Sequence, residues 1–322
     1  MSNRYPQLGL RSKNEIAKRI CSKKLSQNEA LELINDVIKN FDDYWKDSKE
    51  SEPRKQKYIR SAAGNPLNKL LKAIDAKILQ PHDHLVPNFI FGGLKGTSHI
   101  DAAYSLIGRQ NARTILKMDI KRFYKQITRE RVFFLFYRKC GCSVKAANLL
   151  ADLSCVPVGK KGSGSTKKTI ARGFPTSSRL AIWTNLDTFL RLQWEVSRLL
   201  RKHDPKVVVF VDDIGVSASR VSGKLFKHVK HVAQTILAAY DENQPLPVNK
   251  RKTQVIPFSD GAEHLGLLLG RNKISIGRKT KSKMARVKNK IASAVGLERK
   301  SLLKKRSSYY SYKKQIKKAY DN

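Results

Sequence analysis

Acidic residues are scarce in this chain. Its 322 residues include 26 Asp and Glu against 65 Lys and Arg, a formal charge of +39. A chain this positive repels itself unless a polyanion neutralises it, and nucleic acid is the polyanion that fits best. An anionic membrane surface is the competing reading, but the basic residues are spread along the whole length. Long apolar runs are missing too: no stretch approaches the roughly eighteen residues of a spanning helix. The opening MSNRYPQLGLRSKNEIAKRI has no apolar signal core. Neither membrane contact nor secretion is therefore expected, and a cytoplasmic location is. Cysteine is nearly absent. Of Cys21, Cys140, Cys142 and Cys155, only Cys140 and Cys142 are neighbours. One intervening residue and no nearby His do not make a zinc site, so free thiols in a reducing compartment are expected. Hydrophobic residues still make up 40%, enough for a core, which excludes a disordered basic tail.

Apolar spacing predicts helices at both ends and alternating elements between. Ser26-Gln27-Asn28-Glu29 is a capping signal ahead of Ala30, Leu31, Leu33, Ile34, Val37, Ile38 and Phe41 at helical spacing. WKDSKESEPRKQK (45–57) is polar, contains Pro53 and reads as a linker. After Pro66, Leu67, Leu70, Leu71, Ile74, Ile78 and Leu79 predict a second helix ended by Pro81. FIFGGLKGTSHIDAA (89–103) reads as an apolar stretch, a glycine-rich bend and a helix. Thr114–Ile120 reads as a strand ending on a carboxylate. Residues 128–140 and 144–154 read as helices, 158–173 as a loop or hairpin, and 180–200 as one long amphipathic helix. VVVFVDDIGVS (207–217) predicts a β-hairpin with two carboxylates at its turn, followed by a helix over 221–239. No solenoid-type repeat is present. From Arg271 to Asn322, 18 Lys and Arg face only Glu298 and Asp321. Met284, Val287, Ile291, Val295, Leu302, Leu303 and Ile316 are interleaved, which predicts helices. Single-sign charge there favours a phosphate-binding surface over a merely solvated face.

In so basic a chain, carboxylates at the ends of apolar strands invite a metal explanation. A strand ending on Asp119 and a hairpin turn carrying Asp212 and Asp213 would bring three carboxylates to one point. Unneutralised, they would raise one another's pKa. Two Mg²⁺ ions about 3.5–4 Å apart, as in polymerases and nucleases, would resolve this. An Asp-Asp pair is also an ordinary β-turn, and the flanking residues decide between the readings.

Those flanks, in order, resemble reverse transcriptases over roughly residues 55–270. KMDIKRFYKQI (117–127) resembles the first catalytic motif, and GFPTSSRLA (173–181) the prokaryotic form of the second. FVDD (210–213) resembles the aromatic-x-Asp-Asp box, LPVNKRKTQVI (246–256) the motif after it, and HLGLLLG (264–270) the primer-grip hairpin. SAAGNPLNKLLKAIDAKIL (61–79) and FGGLKGTSHIDAA are similar to the added N-terminal motifs of bacterial members: retron, group II intron and defence-associated enzymes. Asp119 and Asp212 are 93 positions apart. Arg172 replaces a common Gln and Arg122 a common acid. Asp101-Ala102-Ala103-Tyr104-Ser105 lacks the His of the retron box, and the Val-Thr-Gly signature is absent. These departures lean toward the defence-associated (abortive-infection) or unclassified groups.

The resemblance implies roles. Asp119, Asp212 and Asp213 would be the catalytic carboxylates and metal ligands, with Ile120 lending its backbone carbonyl. Tyr124 would be the aromatic gate beneath the sugar C2′, while Phe123 belongs to the core. Arg122, Arg172, Gly173 and Pro175 would surround the nucleotide, Gly173 allowing close backbone approach and Pro175-Thr176-Ser177 starting a helix under the template. Lys252 would protonate the departing pyrophosphate, or is equally a solvated lysine beside Lys250 and Arg251. The implied fold is α+β: a right-hand polymerase with an antiparallel, four-stranded palm sheet, helical fingers and a small basic helical thumb. The expected division is an N-terminal helical extension (1–54), fingers and palm (55–270), and thumb (271–322). The implied activity is RNA-directed DNA polymerisation from a 3′-hydroxyl, using dNTPs and two Mg²⁺ (or Mn²⁺). The implied template is a dedicated structured noncoding RNA, the product cDNA and the setting antiphage defence. An effector protein and a homo-oligomer are further partners left open. Two alternatives stand: a template-independent or protein-primed polymerase using Tyr309, Tyr310, Tyr312 or Tyr320, and a non-catalytic RNA-binding scaffold.

Overall fold

Side-chain caps open the early helices. In the computed structural model, which describes residues 4–108, 112–241 and 245–319, α1 (Lys13–Ile20) is capped by Ser12. Helix α2 (Gln27–Lys39) starts with the Ser26/Glu29 box that its sequence announces. Tyr320 and Asp321, named above, lie outside the described residues.

The polar stretch expected as a linker is a folded-back ribbon instead. Strand β1 (Lys46–Asp47) pairs antiparallel with β2 (Arg60–Ser61). The cause is Arg60, whose buried guanidinium is ion-paired to Asp47 and lies 5.0 Å from the ring centre of buried Trp45. Such a long-range pair leaves no periodic trace. Helix α3 (Pro66–Ile74) continues past its expected end as π-helical and 3-10 turns to Leu85, with Pro81 accommodated in the first turn of the latter.

Next come β3 (Ile90–Phe91), α4 (His99–Tyr104), β4 (Arg113–Asp119), α5 (Phe123–Gln126), α6 (Arg129–Phe134) and α7 (Val144–Ser154). The Gly/Ser/Lys tract is the loop of a hairpin, β5 (Cys155–Pro157) with β6 (Lys168–Ile170). The stretch 180–200 is not one helix. It breaks into α8 (Ser177–Thr184) and α9 (Leu186–Leu199) at Asn185, whose side-chain amide donates to the Ala181 carbonyl at 2.7 Å. Then follow β7 (Lys206–Phe210), β8 (Asp213–Ser219), α10 (Gly223–Ala239), β9 (Gln254–Pro257), β10 (Glu263–His264), β11 (Leu267–Gly270), β12 (Lys273–Ile276), α11 (Arg278–Ser293) and α12 (Gly296–Lys318).

The central sheet runs in the order β3-β7-β8-β4-β9. Four of its strands are antiparallel, as expected. A fifth, the two-residue β3, lies parallel at the β7 edge and is too short to show a period. Strand β4 is central, paired to β8 over seven residues and to β9 over four.

Alternation along β4 sorts the two faces. Leu116, Met118, Val207, Val209, Ile214 and Val216 point to the back. There they join one core with α9, α10 and the N-terminal helices, through Phe189, Val196, Phe226, Ile16 and Ile34. Each such side chain contributes about 1.5–3 kcal/mol on burial. Helices α1 and α2 thus contribute side chains to the main core. On the front, Ile115 and Val208 are covered by α4 and by the three-stranded sheet β10-β11-β12 through Leu267 and Leu269. Helices α11 and α12 pack on each other beyond that sheet, with Leu302 and Ile316 as buried anchors. The four cysteines are free, and burial pushes the Cys140, Cys142 and Cys155 thiols up. Among the described residues, no helix is long and apolar enough to cross a membrane.

Candidate active site

The site lies at one end of the central sheet. Strand β4 ends on Asp119, whose register partner on β8 is Asp213. Phe210 pairs with Asp213, so Val211 and Asp212 form a two-residue turn between β7 and β8. Val211 is held at φ +57°, a conformation that β-branched residues avoid and that costs about 1–3 kcal/mol. Gly92 in the glycine-rich bend sits against this turn: a Cβ there would meet Val211 Cγ2 at 2.8 Å, and its own φ is +81°. The bend thus buttresses the turn that carries Asp212, a role the sequence leaves unassigned.

Hydrogen bonds lock the carboxylate positions. The Ile120 amide donates to the Asp212 carbonyl at 2.9 Å, and the Asn249 amide to the Asp119 carbonyl at 2.8 Å. Lys252 Nζ donates to Asp119 Oδ1 at 2.7 Å. That bond is the main reason the Lys252 pKa is pushed up. Burial raises the Asp212 carboxyl, with the charge of Asp119 adding to it. Burial, then Asp212 and Asp119, push Asp213 up to about 6. Asp119 and Asp212 thus disfavour the charged form of Asp213 at this end of the sheet.

They do not form a ready-made cage. Among the described residues, no three His, Cys, Asp or Glu side chains are gathered as a metal site. The expectation of three carboxylates converging at a point is met only in the backbone. The Asp119 carboxylate is turned to Lys252, which supplies the local counter-charge. The donor set, all carboxylate and carbonyl oxygen, is the kind that hard divalent cations such as Mg²⁺ prefer.

The carboxylates open into a cleft of about 550 Å³. Of the sequence-derived residues, Asp119, Ile120, Arg122, Tyr124, Arg172, Asp212 and Lys252 line it, whereas Asp213, Gly173 and Pro175 do not. Lys55, Lys57, Tyr58, Lys121, Lys125 and Asn249 line it too and were missed. Lys55, Lys57 and Tyr58 come from the β1–β2 ribbon, which sequence patterns did not disclose, whereas Lys121, Lys125 and Asn249 lie within quoted motifs that assigned them no role. Cations thus dominate the walls, as a polyphosphate ligand requires.

Tyr124 is fixed from several sides. Its hydroxyl lies 3.0 Å from Ser178 Oγ, and the Arg172 guanidinium stands 5.6 Å from its ring centre. Phe123 meets it edge-on at 5.7 Å and is itself buried. Burial raises the Tyr124 pKa, so the phenol stays protonated. Gly173, at φ +104°, passes so close to Arg60 that a Cβ would lie 2.4 Å from the Arg60 carbonyl oxygen. The Arg60 amide in turn donates to the Arg172 carbonyl at 2.7 Å. The glycine therefore lets the backbone approach the ribbon and aims Arg172 at the cleft; its neighbours here are protein atoms.

Helix α8 starts next to this wall. Arg179 on it is ion-paired to Asp75 and, at 2.7 Å, to Asp83, so a buried guanidinium ties α8 to the turns after α3. Of the C-terminal tyrosines, the Tyr312 hydroxyl bonds His99 Nε2 at 2.9 Å. Tyr310 is exposed, and its phenol is lowered by a hydrogen bond from Arg306.

No family model matches the chain. The chain is 26% identical over 180 residues to the Retron Ec48 reverse transcriptase of Escherichia coli, an alignment covering 54% of this chain and 40% of that protein. The chain thus spans about two fifths of the length of the curated relative it matches. With a central antiparallel sheet flanked by helices and acids at its end, the molecule is similar in sequence to a reverse transcriptase of the retron type.

Proposed function

We propose that the protein is an RNA-directed DNA polymerase with a right-hand architecture. The single observation that supports this best is the register pair Asp119–Asp213 beside the Asp212 turn, at the mouth of a cation-lined cleft of about 550 Å³ that also holds Tyr124. Asp119, Asp212, Asp213 and the Ile120 carbonyl would hold two Mg²⁺, which when bound lower the pKa of the primer 3′-hydroxyl and neutralise charge on the triphosphate. Arg122 and Arg172 grip the triphosphate by charge-assisted hydrogen bonds. Tyr124 lies under the sugar and excludes a 2′-hydroxyl. Lys252, paired to Asp119 here, would deliver its proton to the departing pyrophosphate. The sheet β10-β11-β12 and the helices α11 and α12 hold the primer–template duplex by its phosphates. A structured noncoding RNA is the natural template, and antiphage defence the setting that the family resemblance favours.

The test is primer extension on an RNA template with Mg²⁺ and dNTPs. Incorporation by the wild-type chain and its loss in Asp212→Asn, with RNA binding retained, is the expected result. Equal incorporation by Asp212→Asn sinks the assignment. A protein-primed variant of the reading draws on Tyr310, exposed and with a phenol favoured to ionise by Arg306. It predicts an SDS-resistant DNA adduct that disappears in Tyr310→Phe.

A further inference from the structure

The chain has three tryptophans. Trp45 and Trp183 are each 2% exposed, whereas Trp194 on α9 is 53% exposed. Its ring is not isolated. Arg191 and Arg198, one turn before and one turn after, hold their guanidinium carbons 5.0 and 5.6 Å from the ring centre. Both are tethered by one carboxylate. Glu195 Oε1 accepts from Arg191 Nη2 at 2.6 Å and Glu195 Oε2 from Arg198 Nη2 at 2.9 Å, while the Glu195 side chain is only 11% exposed. A buried acid therefore pins two planar cations against an exposed indole. Arg201, in the turn that follows, continues the stripe at the same three-to-four spacing and is exposed.

This platform is remote from the carboxylate cleft. Leu192 and Val196 of α9 are buried in the core behind the sheet, among Val207 and Val209. Asp119 and Asp213 share a sheet face with Ile115, which is covered from the front. Trp194 faces outward from the helix layer on the opposite side.

We infer that Trp194, with Arg191 and Arg198, is a stacking platform for a base in a single-stranded segment of RNA bound across the back of the molecule. The inference rests on the polymerase reading for the choice of RNA. Three features favour nucleic acid over a protein partner. The chain carries +39, so a polyanion is the complementary ligand. Indole and guanidinium planes both stack on bases, and the fixed guanidinium groups keep donors for flanking phosphates. The outer face of α9 offers one aromatic ring among cations, not the broad apolar patch of a protein interface. Pre-fixing by Glu195 removes part of the ordering cost on binding.

Because the other two indoles are buried, a bound base can contact and quench only Trp194 of the three. The full-length protein is titrated with a single-stranded RNA 12-mer, reading fluorescence anisotropy of the RNA and tryptophan emission of the protein. We expect saturable quenching of the Trp194 emission in step with binding. Affinity should fall about tenfold in Trp194→Ala, the size of one lost base stack. Arg191→Gln with Arg198→Gln should weaken binding in the same direction, with circular dichroism confirming that each variant is folded. Single-stranded DNA of the same sequence is titrated alongside; tighter binding with stronger quenching by DNA overturns the choice of RNA. RNA binding that leaves Trp194 emission and Trp194→Ala affinity unchanged overturns the platform. Extension of a short primer–template in the front cleft should be unchanged in Trp194→Ala, and loss of that extension would also overturn it. Absence of extension in the wild-type chain instead counts against the polymerase reading, and the quenching result is then read by itself.

Discussion

The acidic end of the sheet and the basic helices α11 and α12 handle charge in opposite ways. At the sheet end, three carboxylates sit in a fixed register, half-buried, with backbone bonds on either side and Lys252 as counter-charge. In α11 and α12 the cations stand exposed on two helices, and α12 is anchored by little more than Leu302 and Ile316. The first region depends on where each group is. The second depends on how many groups there are. Burial makes each acid's charge strongly felt by the others, while solvent screens each lysine.

The largest break of this contrast is a single change at the sheet end. Asp119→Asn should reduce nucleotide incorporation by at least about a hundredfold, as for other electrostatic groups at reacting centres. RNA retention on a filter should stay within twofold or so of wild type, since the cations that bind it are elsewhere. Incorporation near the wild-type rate would show that position does not matter there. In the basic helices the reverse holds. Replacing Lys283, Lys288 and Lys314 together with Gln should lower RNA affinity, and the slope of log K against log salt should fall by about one per lost phosphate contact. A slope unchanged by three such changes would remove the duplex from α11 and α12.

Tyr124 lies between these extremes, a neutral group whose placement matters. Tyr124→Ala should raise the use of rNTPs relative to dNTPs, read as the ratio of kcat/KM values. Ser178→Ala, which removes the partner of the Tyr124 hydroxyl, should move the ratio the same way by less. Unchanged ratios in both would place sugar selection elsewhere.

The smallest expected effect is a pH dependence beneath the site. His264 on β10 is fully buried against Gly215 of β8, and its Nε2 has no hydrogen-bond partner among the described residues. Burial, with help from Lys117, holds its imidazole down to about 3. The unfolded chain therefore binds a proton there that the folded chain refuses between pH about 6.5 and about 3. The His264 contribution is complete above that window and is lost as pH falls through it. The melting temperature should drop from pH 7 to pH 4.5, and His264→Phe should drop less. Parallel pH curves for the two proteins would show that His264 carries none of the effect.

Much of the sheet and of the site was legible because its signals are local. Thr114–Asp119 is a short, mostly apolar run and the Val207–Ser217 hairpin is rich in β-branched residues, and Asp119 and Asp212 close them at visible points. Gaps came from long-range causes. The break at Asn185 follows from a side-chain bond back to Ala181, with no Gly or Pro to mark it. The β1–β2 ribbon is held by Arg60, and α8 is held to the turns after α3 by Arg179, cations that local patterns treat as surface. The cleft residues Lys55 and Tyr58 were missed with the ribbon that presents them. Ser178 lies within the motif GFPTSSRLA, but only the fold brings it to Tyr124.

Strand order has a consequence for how the protein is made. The central strand β4 must wait for both neighbours: β8 emerges about a hundred residues later and β9 later still. A ribosome adding residues from the N-terminus therefore exports the first acid long before any partner for it exists. Until Asp213–Ser219 has left the exit tunnel, Asp119 has no Asp213 beside it, and until the chain as far as Pro257 has followed, Lys252 is missing and Leu116 and Met118 sit on an incomplete surface. The carboxylate cluster is thus incomplete for most of the chain's synthesis, and holding apolar β4 out of premature contacts is a task for the N-terminal helices or for a chaperone.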